Sequence, residues 1–377
     1  MKKINFGETM LKRFEVSNFK GFKDKIVLDL SDHKDYEFNS QFIKNDLINK
    51  ALIYGKNGSG KSNLGYAIFD ITYHLTDKMK VSLNNSYING DSDKNFATFV
   101  YEFQFFDFCV KYEYAKFNPI MMMYEKLFVN DSLVVHYDFL TKKFFKLNIK
   151  GTENLNQNLS DNIKSVVRYI YANCILEDNS PIKLMMDFVD RMLWFRCMDR
   201  GPEFTGYMQL PKMMADMIID NGSISDYENF LSNNDINYNI EIKKEINNNV
   251  HLLVADLKKG QYNLDALWST GTKSMTLFYC WSLEFNKISF LFLDEFDAYY
   301  HYETSENILS IINSKPNMQA IVTSHNTNLM NNKLTRPDCC FIISNNKVKN
   351  LCNCTDKEIR EAHNLEKMYK NNVFTDI

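Results

Sequence analysis

The run Gly55-Lys56-Asn57-Gly58-Ser59-Gly60-Lys61-Ser62 constrains this chain more than any other stretch. It satisfies G-x-x-x-x-G-K-[ST], and it lies between a short apolar run, Ala51 to Tyr54, and a helical pattern from Asn63 to Leu75. Strand, glycine-rich turn and helix in that order make a cradle for phosphate. The glycines let the backbone curl until successive N–H groups point at a β-phosphate, and the positive end of the following helix adds to their field. Lys61 is placed to reach the β and γ oxygens, and the Ser62 hydroxyl to ligate Mg2+. The loop, with Asn63 behind it, is therefore read as a site for ATP and Mg2+.

A second motif sits far downstream. Ile288 to Leu293 is an apolar run ending in Asp294-Glu295. Ligands of doubly wound folds collect at the carboxyl ends of the strands, so these acids are expected at the same sheet edge as the phosphate loop. Asp294 would hold Mg2+ through water, and Glu295 would orient and deprotonate an attacking water. An apolar run closed by two acids is by itself only a strand end; its pairing with the loop gives it meaning. More than two hundred positions separate Lys61 from Asp294, far more than one βαβ unit uses. Small P-loop kinases and GTPases place the second motif much earlier, whereas ATPase heads of the ABC class accommodate large insertions.

That class implies two further elements. One is a serine-glycine turn that opens a helix shortly before the second motif, and Trp268-Ser269-Thr270-Gly271-Thr272 provides it. Ser269 and the Gly271 N–H would bind a γ-phosphate, helped by the dipole of a helix running to about Phe285. Because this turn does not reach its own phosphate loop in that class, the implied site is shared between two subunits. Outside that context the same turn reads as an ordinary helix cap. The other element is a strand ending in histidine, Gln319 to Ser324-His325-Asn326, where the class implies that His325 senses the γ-phosphate.

The ordered set of Asn18-Phe19-Lys20-Gly21-Phe22, Gly55 to Ser62, Ser269-x-Gly271, Leu293 to Asp297 with His301, and Ser324-His325-Asn326 resembles the ABC-type AAA ATPases of the RloA and abortive-infection group. These are relatives of SMC heads and of the ATPase domain of OLD nucleases. Leu334 to Asp338 and Glu358 to Tyr369 share the resemblance. It implies an α/β fold of the ABC/SMC type, a P-loop head whose mixed sheet carries an antiparallel β subdomain, interrupted by an inserted helical domain. It also implies a bacterial, cytoplasmic homodimer or higher oligomer that drives a separate effector, a nuclease or toxin, in anti-phage defence. Two departures stand out. Trp-Ser-Thr-Gly-Thr replaces the transporter-type Leu-Ser-Gly-Gly-Gln, and no glutamine is plainly placed to contact Mg2+; Gln104 and Glu125 are the weak alternatives. Asp297 is read either as crossing the dimer interface or as capping the helix that contains His301.

Three segments follow from patterning: an N-terminal lobe over 1–130, a mainly helical insertion over 131–250, and a C-terminal lobe over 251–377. Leu11 to Phe19 and Ile26 to Leu30 read as a hairpin, and the short aromatic and β-branched runs between Ala97 and Val135 as an antiparallel meander. Within the insertion, Ile182 to Phe195 is apolar at helical spacing, and a last helix is expected from Thr355 with Glu358 completing a capping box. Lys and Arg number 44 against 47 Asp and Glu, a net charge of -3, which gives no reason to make nucleic acid the default partner. Nucleic acid stays open through a local basic strip only. Neither a membrane-length apolar run nor an apolar signal core is present, so a membrane is not expected and the chain reads as cytoplasmic. The eight cysteines read as reduced thiols, and Cys352-x-Cys354 lacks the second pair a zinc site needs.

Three functions compete. The first is an ATPase that closes as a dimer and moves a partner. The second is an ATP-held sensor or scaffold with slow hydrolysis, and the third a DNA-repair ATPase of SMC type. Glu295 favours the first, because a pure binder needs no base beside the metal carboxylate. A nuclease within the same chain is disfavoured by the short stretch after His325.

Overall fold

The computed structural model describes residues 9–76, 78, 86–106, 108–196, 203–207, 214–221, 223–245 and 250–375. β1 (Thr9–Ser17) and β2 (Ile26–Asp29) pair antiparallel, as the alternation of Phe14 and Val16 with polar neighbours requires. A small ribbon, β3 (Ile43–Lys44) and β4 (Leu47–Ile48), leads to β5 (Lys50–Tyr54), the strand before the phosphate loop. α1 (Lys61–Phe69) and α2 (Ile71–Leu75) follow the loop. The expected meander is β6 (Ala97–Phe105), β7 (Phe108–Lys116) and β8 (Met122–Val129), and it continues through β9 (Ser132–Asp138) and β10 (Lys143–Leu147). Burial in β6 alternates residue by residue, with Phe99, Tyr101, Phe103 and Phe105 inward. Together these strands form a seven-stranded antiparallel sheet in the order β10-β9-β8-β7-β6-β1-β2.

Next come α3 (Val166–Asn173), α4 (Pro181–Asp190), β11 (Met192–Arg196), β12 (Glu203–Gly206), α5 (Met214–Asn221) and α6 (Ile224–Ser232). A separate three-stranded sheet is built from β13 (Ile240–Glu245), β14 (Val250–Leu257) and β15 (Gly260–Asn263), and α7 (Leu264–Leu267) closes it. The stretch expected to be mainly helical is thus part helix and part strand. β9 and β10 extend the antiparallel sheet, and β11 and β12 belong to the second large sheet, the one that holds β5. The apolar run from Ile182 shows the physical reason: α4 ends at Asp190, and Met192 to Phe195 form a fully buried strand. A continuous apolar run carries no periodicity that separates the two states.

The chain ends with α8 (Thr270–Ser282), β16 (Phe290–Leu293), α9 (Tyr302–Asn313), β17 (Gln319–Ser324), β18 (Cys340–Ser344), β19 (Lys347–Asn350) and α10 (Leu365–Lys370). Thr355 does not open a helix. Its hydroxyl accepts the Lys357 N–H in a local turn, and Asn364 caps α10 by accepting the Lys367 N–H. The short side chain of asparagine serves a cap that the Thr355–Glu358 box was expected to make.

The second sheet has the order β12-β11-β16-β17-β5-β18-β19, with the five inner strands parallel and both edges antiparallel. Its inner strands are apolar on both faces, as a doubly covered parallel sheet requires. Phe290, Phe292, Ile53 and Ile321 join the core shared with the antiparallel sheet and α1 to α4. Leu291, Leu293, Leu52 and Val322 join the opposite core, against α8 and α9. The buried Gln319 amide links the sheets: it accepts the Leu11 N–H at 2.8 Å and donates to Leu11 O at 2.9 Å and Ile48 O at 3.0 Å. Asp70, at the end of α1, accepts from Tyr87, Tyr114 and Lys116, so the helix behind the phosphate loop is pinned to the antiparallel sheet. Among the described residues no helix is long and apolar enough to cross a membrane.

Candidate functional site

Parallel pairing of β11, β16, β17 and β5 sets their carboxyl ends along one edge. The phosphate loop leaves β5 there, Asp294 and Glu295 follow β16, and β17 ends there in Ser324 with His325 after it. The loop closes tightly on itself: a Cβ on Gly55 would come 2.3 Å from Ser59 Oγ. Gly60 is the N-cap of α1 at φ 105°, a conformation that favours glycine, and a Cβ there would meet the Phe22 ring at 2.8 Å. Phe22, from the turn after β1, therefore forms one wall of the loop. Lys56, Asn57 and Gly58 are exposed, while Lys61 is buried.

The Lys61 ammonium is folded inward. It donates to Gly55 O at 2.8 Å and Lys56 O at 3.2 Å, and it stands 3.5 Å from Glu295 Oε1. These carbonyls hold the charge at the centre of the cradle, where phosphate oxygens would replace them. Ser59 Oγ is buried and finds no hydrogen-bond partner among the described residues.

Asp294 is fully buried, and Glu295 adopts the left-handed backbone at φ 47°. That turn separates the two acids, keeping one under the loop and leaving the other about one-third exposed, at 37%, facing Lys61. Burial pushes the Asp294 carboxyl up, against hydrogen bonds from Ser62 and Thr323 that pull it down. Oδ1 accepts from Thr323 Oγ1 at 2.8 Å, while Oδ2 is buried without a hydrogen-bond partner among the described residues. A buried carboxylate oxygen beside a serine hydroxyl is a hard-oxygen donor set, and Mg2+ takes few protein ligands and keeps its waters. The residues present fit the ion.

Asp297 is buried and accepts from Ser324 Oγ at 2.6 Å, so it fastens the end of β17. The cap position of α9 belongs to His301, which makes no side-chain cap bond. Burial raises the Asp297 carboxyl, opposed by Ser324 and by the charges of His325 and Lys61. His325 itself is exposed at the edge. Ser269 is exposed as the N-cap of α8, its Oγ accepting the Thr272 N–H at 3.1 Å. Gly271 lies against the Tyr299 carbonyl, 3.0 Å from where a Cβ would stand, so a side chain there would press on that carbonyl.

Neither weak glutamine alternative is held at this edge. Gln104 donates to the carbonyls of Phe106 and Phe108 in the meander. Glu125 is buried and accepts from Tyr112, Ser165 and the Val166 N–H. Three residues of the edge were not singled out by sequence reasoning. Thr323 bridges Asp294 and the Glu295 N–H; Arg196 ends β11 beside Asp294; and Glu203 holds Arg196. A strand reading of Met192 to Phe195 would have placed Arg196 at a carboxyl end.

The family model described as "AAA domain, putative AbiEii toxin, Type IV TA system" matches residues 50–331, from β5 past His325. Among solved structures the chain is similar to an SMC head bound to the C-winged helix domain of ScpA, at 12% identity and TM-score 0.44 over 90% of this chain and 96% of that one. It is similar also to the SMC head domain from Thermotoga maritima, at 14% and 0.38 over 90% and 97%. A third is an Smc head with an extended coiled coil, bound to the C-terminal domain of ScpA derived from Pyrococcus furiosus, at 12% and 0.43 over 90% and 95%. No curated protein matches the chain.

Proposed function

We propose, from the premise that this chain belongs to the AAA domain family whose description names AbiEii and type IV toxin–antitoxin systems, that it hydrolyses ATP, closes as a dimer on the nucleotide and thereby gates a separate effector. The observation that carries the reading is the meeting of Lys61 and Glu295 at 3.5 Å, with the buried Asp294 immediately before Glu295 in the chain. Loop N–H groups and Lys61 would bind the β and γ phosphates. Ser62 and Asp294 would hold Mg2+, which when bound supplies positive charge against the phosphate oxygens. Glu295, the exposed acid of the pair, would take the proton of the attacking water. Ser269 is exposed at the start of α8, which supports its completing the site of a second copy together with the Gly271 N–H, and His325 would report on the γ-phosphate.

The effector is proposed to be a nuclease or toxin in bacterial anti-phage defence. Support comes from the toxin in the family description and from the site residues, which all serve ATP chemistry. The sensor with slow hydrolysis remains the competing class, and Glu295 weighs against it. Single-turnover ATP decay, followed with and without the effector, tests the choice. Decay that depends on both Lys61 and Glu295 supports an ATPase; ATP bound without decay in either condition supports the sensor. The purified chain with Mg2+ or Mn2+ is expected to leave DNA and RNA intact, and cleavage lost in Lys61→Ala would place the nuclease within the chain itself.

A further inference from the structure

Arg196 occupies a position that the nucleotide site described so far does not use. As the last residue of β11 it is one step beyond the Phe195–Leu293 pair, and the Phe195 carbonyl accepts the Asp294 N–H at 3.1 Å. Its Nε and Nη2 both donate to one oxygen of Glu203, at 2.9 and 2.8 Å. The guanidinium lies 5.7 Å from the Tyr66 ring centroid and 5.6 Å from that of Trp194, which confines its plane. Tyr66 is on α1, one turn after Ser62. Nη1 stands 3.8 Å from Asp294 Oδ2, beyond hydrogen-bond reach, and that oxygen has no hydrogen-bond partner among the described residues.

We propose that Arg196 contacts the terminal phosphate of ATP and gives the site its preference for a triphosphate over a diphosphate. The inference rests on the assignment of ATP and Mg2+ to the phosphate loop. A guanidinium stays charged at any working pH, so an ion on Ser62 and Asp294 would place two cations side by side at this edge. Glu203 and Asp294 offset part of that charge, and an anion bridging the two cations would offset the rest. The γ-phosphate of ATP brings such charge and several acceptor oxygens, and ADP does not. Glu203 keeps the guanidinium at the edge before the nucleotide arrives, and the two aromatic rings limit its swing. A purely structural Arg196 would instead neutralise Asp294 and Glu203 and be indifferent to the third phosphate.

Calorimetry separates the two roles. With Mg2+ present, affinities for ADP and for the β,γ-imido analogue of ATP are measured on wild type, Arg196→Met and Arg196→Lys. Methionine keeps an apolar stem over Tyr66 and Trp194 while deleting the charge. The analogue-to-ADP preference is expected to fall about tenfold or more in Arg196→Met, the size of a charge-assisted hydrogen bond, with ADP affinity nearly unchanged. Arg196→Lys should give an intermediate preference, because a point charge lacks the planar fork. Equal loss for both nucleotides, or an unchanged preference in a variant that melts like wild type, overturns the proposal. Should Arg196→Met fail to fold, Arg196→Lys decides alone, and an unchanged preference there is the overturning result. Lys61→Ala is run alongside: if it too leaves analogue affinity intact, the phosphate-loop assignment falls, a failure distinct from that of Arg196.

Discussion

Thr323 Oγ1 donates its hydrogen to Asp294 Oδ1 at 2.8 Å, and Thr323 Oγ1 itself accepts the Glu295 N–H at 2.9 Å. One side chain of β17 thus fixes both acids that follow β16, orienting the buried one and holding the unusual φ of the other. Thr323→Val keeps the shape and removes both bonds. It is expected to lower kcat about tenfold or more while nucleotide affinity stays within about threefold, since the phosphate loop is untouched. Steady-state turnover and nucleotide titration on the same preparation check this, and an unchanged kcat would reduce Thr323 to a packing residue.

The 3.5 Å approach of Lys61 to Glu295 makes opposite demands on the two side chains. Lys61→Ala deletes the charge that meets the phosphates and should abolish ATP binding. Glu295→Gln keeps the shape but cannot take the water's proton, so it should bind ATP, slow hydrolysis by orders of magnitude and accumulate the closed dimer. Light scattering with ATP present reads that dimer directly. Wild-type turnover in Glu295→Gln would remove it from the role of base.

What the sequence made legible was whatever depends on local chemistry. Gly55 to Ser62, the Asp294-Glu295 strand end and the Ser269 cap are local arrangements, and the structure has the strand, loop and helix where their residue types require them. Non-local placement was not legible. Met192 to Arg196 became a strand because β16 offered a parallel edge, a fact no window around Trp194 contains. Thr323 is an unremarkable strand threonine until β16 lies beside it. The Gln319 amide likewise has meaning only after β1 crosses the base of the parallel sheet.

Sharing of the site between copies has its own test. Ser269→Arg places a bulky charge at the exposed start of α8 and removes its cap, at about 1 kcal/mol of stability. Hydrolysis is expected to vanish while binding to the single subunit persists. Mixed with Lys61→Ala, each heterodimer gathers both lesions at one site and leaves the other whole, so activity should return to the mixture. If heterodimers form and no activity returns, each copy completes its own site.

At the opposite end of β5, Lys50 offers a pH signature of the fold. Its ammonium is buried, donating to the carbonyls of Lys315, at 2.9 Å, and Met318, and burial together with the nearby charge of Lys44 holds its pKa down at about 7. Between that value and the ordinary lysine range, the unfolded chain carries a proton at this position that the folded chain lacks. Stability rises with pH wherever the unfolded state binds more protons, so this residue destabilises the fold most below about pH 7 and progressively less above it. Other groups titrate over the same range, and comparison with Lys50→Met cancels them. Urea midpoints from about pH 6.5 to about pH 9.5 are the measurement, and the wild type should gain on the variant as pH rises. A difference that stays flat across the window would mean that the amine is protonated inside the fold, with the two carbonyls fully compensating its charge.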